Sequence, residues 1–97
     1  MMNTCVFEEL WNVICDRMEN PPEKSYVVDI LTHRKGIDKA LEKVGEESTE
    51  FIIAAKNDDY DQKVYEAADL IFHLMLALKG CNVNFSDVIA ELERRRN

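Results

Sequence analysis

The sequence predicts an all-α, four-helix bundle-like fold, and three observations predict it. Gly and Pro are scarce, with 3 and 2 in 97 residues, so few backbone breaks are on offer. The good helix formers Leu, Glu, Ala and Lys are plentiful. Apolar residues recur at i, i+3, i+4 and i+7 in long segments, the period of a helix with one buried face. The length fits one domain over residues 1–97.

The first helix is expected from about Thr4 to Glu19, with Val6, Leu10, Val13 and Ile14 on one face. Asn20-Pro21-Pro22 stops it, because proline has no amide hydrogen and restrains the residue before it. A loop follows to about Arg34, part of it a short helix against the bundle. The second helix runs from about Lys35 to Lys56, with Ile37, Ala40, Leu41, Val44, Phe51, Ile52 and Ala55 as its apolar stripe. Asn57-Asp58-Asp59 is a turn. The third helix runs from about Tyr60 to Leu78, and Gly80 suits a left-handed cap. The fourth runs from Ser86, as N-cap, to about Arg95.

Composition excludes several function classes. The net charge of −7 carries no basic footprint for nucleic acid. No segment approaches the ~18 apolar residues of a membrane span. Cys5, Cys15 and Cys81 are three and widely spaced, which implies neither a disulfide framework nor a zinc site. A reduced, cytoplasmic setting is expected. A chain of this size buries only roughly two thirds of its unfolded surface, so it is a candidate to gain stability by association.

The chemistry is written on the second and third helices. Glu46, Glu47 and Glu50 make one acidic edge at 100° per residue. Taken alone, such a run is an ordinary solvated face. The third helix is different. Val64, Ala67, Ala68, Leu70, Ile71, Leu74, Met75 and Leu78 surround it, which predicts burial nearly all round. Glu66, Asp69 and His73 nevertheless share one narrow stripe of it. Carboxylates on a buried helix are costly unless paired or bound to a metal. Setting the two stripes face to face gives an oxygen-rich pocket of Glu47, Glu50, Glu66 and Asp69. Oxygen ligands suit Mg²⁺ or Mn²⁺. Such ions would also let an acidic protein accept a phosphorylated substrate. A di-iron bundle needs Glu-x-x-His on two helices, and Asp69 stands where that His would be. His73 is expected to hydrogen-bond behind the ligands or at an interface.

Three segments then resemble a known family. They are Lys43-Val44-Gly45-Glu46-Glu47-Ser48-Thr49-Glu50, Ala54-Ala55-Lys56-Asn57, and Tyr65-Glu66-Ala67-Ala68-Asp69-Leu70-Ile71-Phe72-His73-Leu74. ExxE followed after 15 residues by ExxD resembles the all-α, MazG-like nucleoside triphosphate pyrophosphohydrolases. The loop Asn20-Pro21-Pro22-Glu23-Lys24-Ser25-Tyr26, with Lys43-Val44-Gly45-Glu46-Glu47, resembles the phosphoribosyl-ATP pyrophosphatase family of histidine biosynthesis. Lys24 and Val27 depart from the Gly and Thr usual there.

The resemblance implies a Mg²⁺-dependent enzyme that takes 1-(5-phosphoribosyl)-ATP to 1-(5-phosphoribosyl)-AMP and pyrophosphate. It also implies an intertwined homodimer. On this reading Glu47, Glu50, Glu66 and Asp69 hold the metal, and Glu47 and Glu46 serve catalysis, Glu46 as outer ligand or base. Lys43 would meet phosphate oxygens. Arg17, Lys24, Ser25 and Tyr26, and then Lys56 and Asn57, are the candidates for the rest of the substrate. Two alternatives stand beside it: a housecleaning pyrophosphohydrolase acting on another nucleotide, and a helical dimerisation module with no activity.

Overall fold

The computed structural model describes residues 2–96. Among them are five helices and no strand: α1 (Cys5–Glu19), α2 (Tyr26–Leu31), α3 (Ile37–Ala55), α4 (Tyr60–Gly80) and α5 (Phe85–Arg94). The all-α expectation holds, and α2 is the short helix within the expected loop. None of these helices is long and apolar enough to cross a membrane.

Local chemistry sets each boundary. The Asn20 amide bonds the Asp16 carbonyl at 2.7 Å, and Pro21-Pro22 then end α1. Ser25 caps α2, its hydroxyl accepting from the Val28 amide at 3.3 Å. Gly36, at φ +63, takes the left-handed turn from which α3 starts, two residues later than expected. Asp59 caps α4 by accepting from the Gln62 amide at 3.1 Å.

Two expected caps were misplaced. Gly80 is the last residue of α4, not a left-handed cap; the positive φ of +63 falls on Asn82. Gly80 instead lies where two side-chain tips approach the backbone. A Cβ there would stand 2.6 Å from Ile37 Cδ1 and 3.3 Å from Leu31 Cδ2. At α5 the cap is Asn84, whose side chain accepts from the Ser86 amide at 3.0 Å, so the helix begins at Phe85. That start lets Phe85 stack on Trp11, with ring centroids 5.6 Å apart, and lean on Phe7.

The four-residue turn between them folds α3 and α4 into an antiparallel hairpin. The core lies at one end of it. There Ile14 of α1, Val27 and Ile30 of α2, and Ala40 of α3 close on Met75, Leu76 and Ala77 of α4. Helices α1, α2 and α5 leave the other end uncovered. Ile52, Ile53, Val64 and Tyr65 are exposed there, as are Ile71 and Leu74 nearer the middle. Burial all round α4, expected from its composition, is met within one chain only toward its C-terminal half. The radius of gyration is 14.5 Å, against about 12.5 Å for a compact chain of this length.

Candidate metal centre

The two acidic stripes face each other across the hairpin. Carboxylate oxygens of Glu47, Glu50, Glu66 and Asp69 all lie within 4.8 Å of one another. Glu47 and Glu66 are buried, at 4% and 8% exposure, while Glu50 is exposed and Asp69 half-buried. The spacing explains the convergence. Glu47 and Glu50 on α3, and Glu66 and Asp69 on α4, are i, i+3 pairs, neighbours on one helix face.

The buried pair is half-satisfied. Glu66 Oε1 accepts from Gln62 Nε2 at 2.9 Å. Glu47 Oε1 is 3.5 Å from the Lys43 ammonium. Glu47 Oε2 and Glu66 Oε2 are buried with no partner. An orphaned polar atom of this kind costs about 1–3 kcal/mol, more when charged. Burial pushes the Asp69 carboxyl up from its ordinary range, and the adjoining Glu47 carboxylate adds to that. Four carboxylates, two empty-handed oxygens and an all-oxygen donor set fit a hard divalent cation such as Mg²⁺ or Mn²⁺.

His73 is buried behind this set. Its Nδ1 lies 2.8 Å from the Asp69 carbonyl oxygen and its Nε2 lies 2.7 Å from the Tyr26 hydroxyl. Glu47, Asp69 and His73 also come close enough to hold an ion. Both ring nitrogens are already occupied, however, so His73 makes a poor ligand. It ties α2, through Tyr26, to the helix that carries Glu66 and Asp69.

Lys43 bridges the pocket and its rim. Its ammonium is 3.0 Å from Glu46 Oε2 as well as 3.5 Å from Glu47 Oε1. The Glu46 bond raises the Lys43 pKa, and Lys43 in turn holds the Glu46 carboxyl below its usual range. Glu46 is exposed, one step outside the quartet.

The remaining sequence candidates stand apart. Among the described residues, none of the following hydrogen-bonds the quartet. Arg17 pairs with Asp16 at 3.6 Å. The Ser25 hydroxyl is engaged as the α2 cap. Lys24 is exposed. Lys56 caps the C-terminal end of α3, and the Asn57 side-chain amide donates to the Ile53 carbonyl at 2.9 Å. Sequence reading missed Gln62, although its position four residues before Glu66 could have suggested a bond. It also missed the Tyr26–His73 contact, which no spacing rule reveals.

Comparison with known proteins gives the family. The phosphoribosyl-ATP pyrophosphohydrolase family model matches residues 7–96. The chain belongs to that family. It is 55% identical over 96 residues to the phosphoribosyl-ATP pyrophosphatase of Methanosphaerula palustris, covering 99% of this chain and 97% of that one. To the same-named protein of Methanocorpusculum labreanum it is 58% identical, covering 99% and 93%. To that of Methanococcoides burtonii it is 47% identical, covering 95% and 93%. The match spans the α3 and α4 segments of the quartet and helix α2, which Tyr26 begins.

Proposed function

We propose that the chain is a cytoplasmic, Mg²⁺-dependent phosphoribosyl-ATP pyrophosphatase. It would hydrolyse 1-(5-phosphoribosyl)-ATP to 1-(5-phosphoribosyl)-AMP and pyrophosphate, the second step of histidine biosynthesis. Family membership supports the substrate. The single structural observation that carries the chemistry is the pair of partnerless buried oxygens, Glu47 Oε2 and Glu66 Oε2.

Glu47, Glu50, Glu66 and Asp69 would hold Mg²⁺ or Mn²⁺. Bound there, the ion would offset the charge of the triphosphate, act as a Lewis acid and lower the pKa of a water. The protein's own groups do the rest. Lys43 keeps Glu47 Oε1 in place and retains a third ammonium hydrogen for a phosphate oxygen. Glu46, kept ionised by Lys43, suits an outer ligand or a hydrogen-bond acceptor better than a proton-accepting base. Lys24, Arg17 and Ser25, with Lys56 and Asn57, remain candidates for the rest of the substrate.

We further infer a homodimer through the bare apolar face of the hairpin. Leu41, Gly45, Ser48 and Ile52 on α3 and Val64, Ala68, Ile71 and Leu74 on α4 are stripes at helical spacing. Most of these positions are exposed. The chain exposes 7235 Å², whereas a compact monomer of 11.3 kDa exposes about 5,700 Å². The excess is enough for a stable interface, which covers roughly 800 Å² or more per partner.

The deciding assay is pyrophosphate release from phosphoribosyl-ATP with and without Mg²⁺, beside a panel of other nucleotides. Mg²⁺-dependent release that favours phosphoribosyl-ATP is expected. Preference for a different nucleotide would make the chain a housecleaning pyrophosphohydrolase. No release from any nucleotide would leave a dimerisation module.

A further inference from the structure

Three lysines follow one another toward the carboxylate quartet. Lys35 lies just before α3, and Lys39 and Lys43 are i, i+4 neighbours on it. Like charges at that spacing repel. Two of the three are neutralised. Lys35 reaches Glu42 at 3.2 Å, and Lys43 reaches Glu46 and Glu47 at 3.0 and 3.5 Å. Lys39 stands between them, half-buried. Among the described residues it takes part in no ion pair. The nearest acids on its side of the helix, Glu42 and Glu46, are the ones its neighbours hold. A half-buried cation between two others, without a counter-ion, burdens the chain alone and suits an anion from outside.

The direction in which it is free is set by the helix. At 100° and 1.5 Å per residue, Lys39 falls within about 20° of Glu50 and about 40° of Lys43 round α3, and about 12 Å along the axis from Glu47. Its charge acts on this edge: after Lys43, it helps to hold the Glu46 carboxyl below its usual range. The apolar stripe Leu41, Gly45, Ser48 and Ile52 lies about 180–240° round from it. A second copy docked on that stripe stands on the far side of the helix and brings Lys39 no counter-ion.

Phosphoribosyl-ATP carries anions at two ends. One is the triphosphate. The other, beyond the first ribose, the adenine and the second ribose, is a phosphate monoester. With the triphosphate at the quartet and Lys43, a free ammonium further along the same edge is placed for the monoester. The other cations offer less. Lys24 and Lys56 are exposed, and Arg17 pairs with Asp16 at 3.6 Å. Lys39 shares a helix with Glu47 and Glu50, so the separation of cation and carboxylates is fixed by a rigid element.

We propose that Lys39 binds the phosphate monoester of the phosphoribosyl arm and thereby distinguishes phosphoribosyl-ATP from plain ATP. This rests on the hydrolytic reading above and names the residue that sets its substrate.

The test compares Lys39→Met, which keeps the apolar stem and removes the charge, with Lys39→Arg, which keeps the charge. The ratio of kcat/KM for phosphoribosyl-ATP to that for ATP should fall about 10- to 100-fold in Lys39→Met, the worth of one charged hydrogen bond. The loss should lie in KM, and Lys39→Arg should recover most of it. An unchanged ratio, whether both substrates suffer or neither does, would overturn the proposal. Thermal melts without nucleotide address a purely structural role. Removing an unpaired charge should leave Tm at or above the parent value. A lower Tm in Lys39→Met, restored in Lys39→Arg, would mean that a carboxylate already pairs with Lys39, and would overturn it too. A third measurement needs no turnover. Ribose 5-phosphate should shift the Lys39 side-chain resonances of the parent in NMR titrations and bind more weakly to Lys39→Met. Equal binding to both would count against the assignment. A parent that is inactive, or that prefers another nucleotide, is a failure of the hydrolytic reading and shows before any variant is made. Failure of the present proposal shows as an unchanged ratio in variants of a parent that favours phosphoribosyl-ATP.

Discussion

The two faces of the α3–α4 hairpin make opposite errors for a lone chain in water. One face gathers Glu47, Glu50, Glu66 and Asp69 and leaves two buried oxygens without a donor. The other leaves Ile52, Val64 and Ile71 in solvent. Each error names what would correct it. Surplus buried negative charge calls for a cation, and uncovered hydrocarbon calls for more hydrocarbon. The same two helices carry both, so a metal bound on one face and a partner bound on the other would act on one mechanical unit. Consecutive residues show how sharply the fates divide. Glu46 is exposed and satisfied by Lys43, while Glu47, 100° round the helix, is buried and half-satisfied.

The largest effect should come from the acidic face. Replacing Glu50 or Glu66 by Gln removes a charged ligand and should cost at least ~100-fold in rate while the fold persists. The rise in Tm on adding Mg²⁺ should shrink in step. Near-parent activity of either variant at ordinary Mg²⁺ would refute the quartet as the metal site.

The apolar face comes next. Ile71→Asp places a charge on the bare stripe and should weaken self-association about 30-fold, equivalent to about 2 kcal/mol. Sedimentation of the parent should give a dimer at micromolar concentration. A stable 11.3 kDa species there would remove the dimer from consideration.

A smaller effect separates the two faces by pH. The Asp69 pKa is raised above 3.8 by burial and then by Glu47, so the folded chain holds that proton more tightly than the unfolded chain. Without metal, its contribution to stability is full below the unfolded value and is lost as pH rises through the raised one. Asp69→Asn should flatten this loss in thermal melts of the metal-free protein. Mg²⁺ should restore stability at neutral pH in the parent but much less in the variant. An unchanged pH profile in Asp69→Asn would mean that Asp69 is not strained.

What could be read from sequence follows from the range of the forces involved. The quartet was legible because i, i+3 spacing is local, and because Glu66 and Asp69 had little other polar surface on their helix. The Tyr26–His73 bond was not. It joins residues 47 apart and depends on how α2 leans on α4. Helix α2, with six residues, is too short for periodicity to declare it. Gly80 misled because glycine serves both left-handed caps and close approach. The contact with Ile37 and Leu31 that decides between them is tertiary. Asn84 and Ser86 are equally good caps in isolation, and the packing of Phe85 on Trp11 breaks the tie.

Gly45 offers the finest test of the apolar face. It sits within α3, where glycine costs roughly 0.5–1 kcal/mol relative to alanine. A Cβ built there meets nothing within 4 Å in the single chain. If the face is open to water, Gly45→Ala should stabilise by that amount. If a second copy lies against the Leu41–Gly45–Ser48–Ile52 stripe, the added methyl meets the partner's helix and the gain is reversed. The expected result is a lower Tm for Gly45→Ala in the parent and a higher one in the Ile71→Asp background, where the interface is already broken. Such a sign change is a coupling between two positions on one face, which independent sites do not show. The same stabilisation in both backgrounds would place Gly45 in solvent and move the partner's contact elsewhere on the hairpin, toward Ile52, Val64 and Ile71.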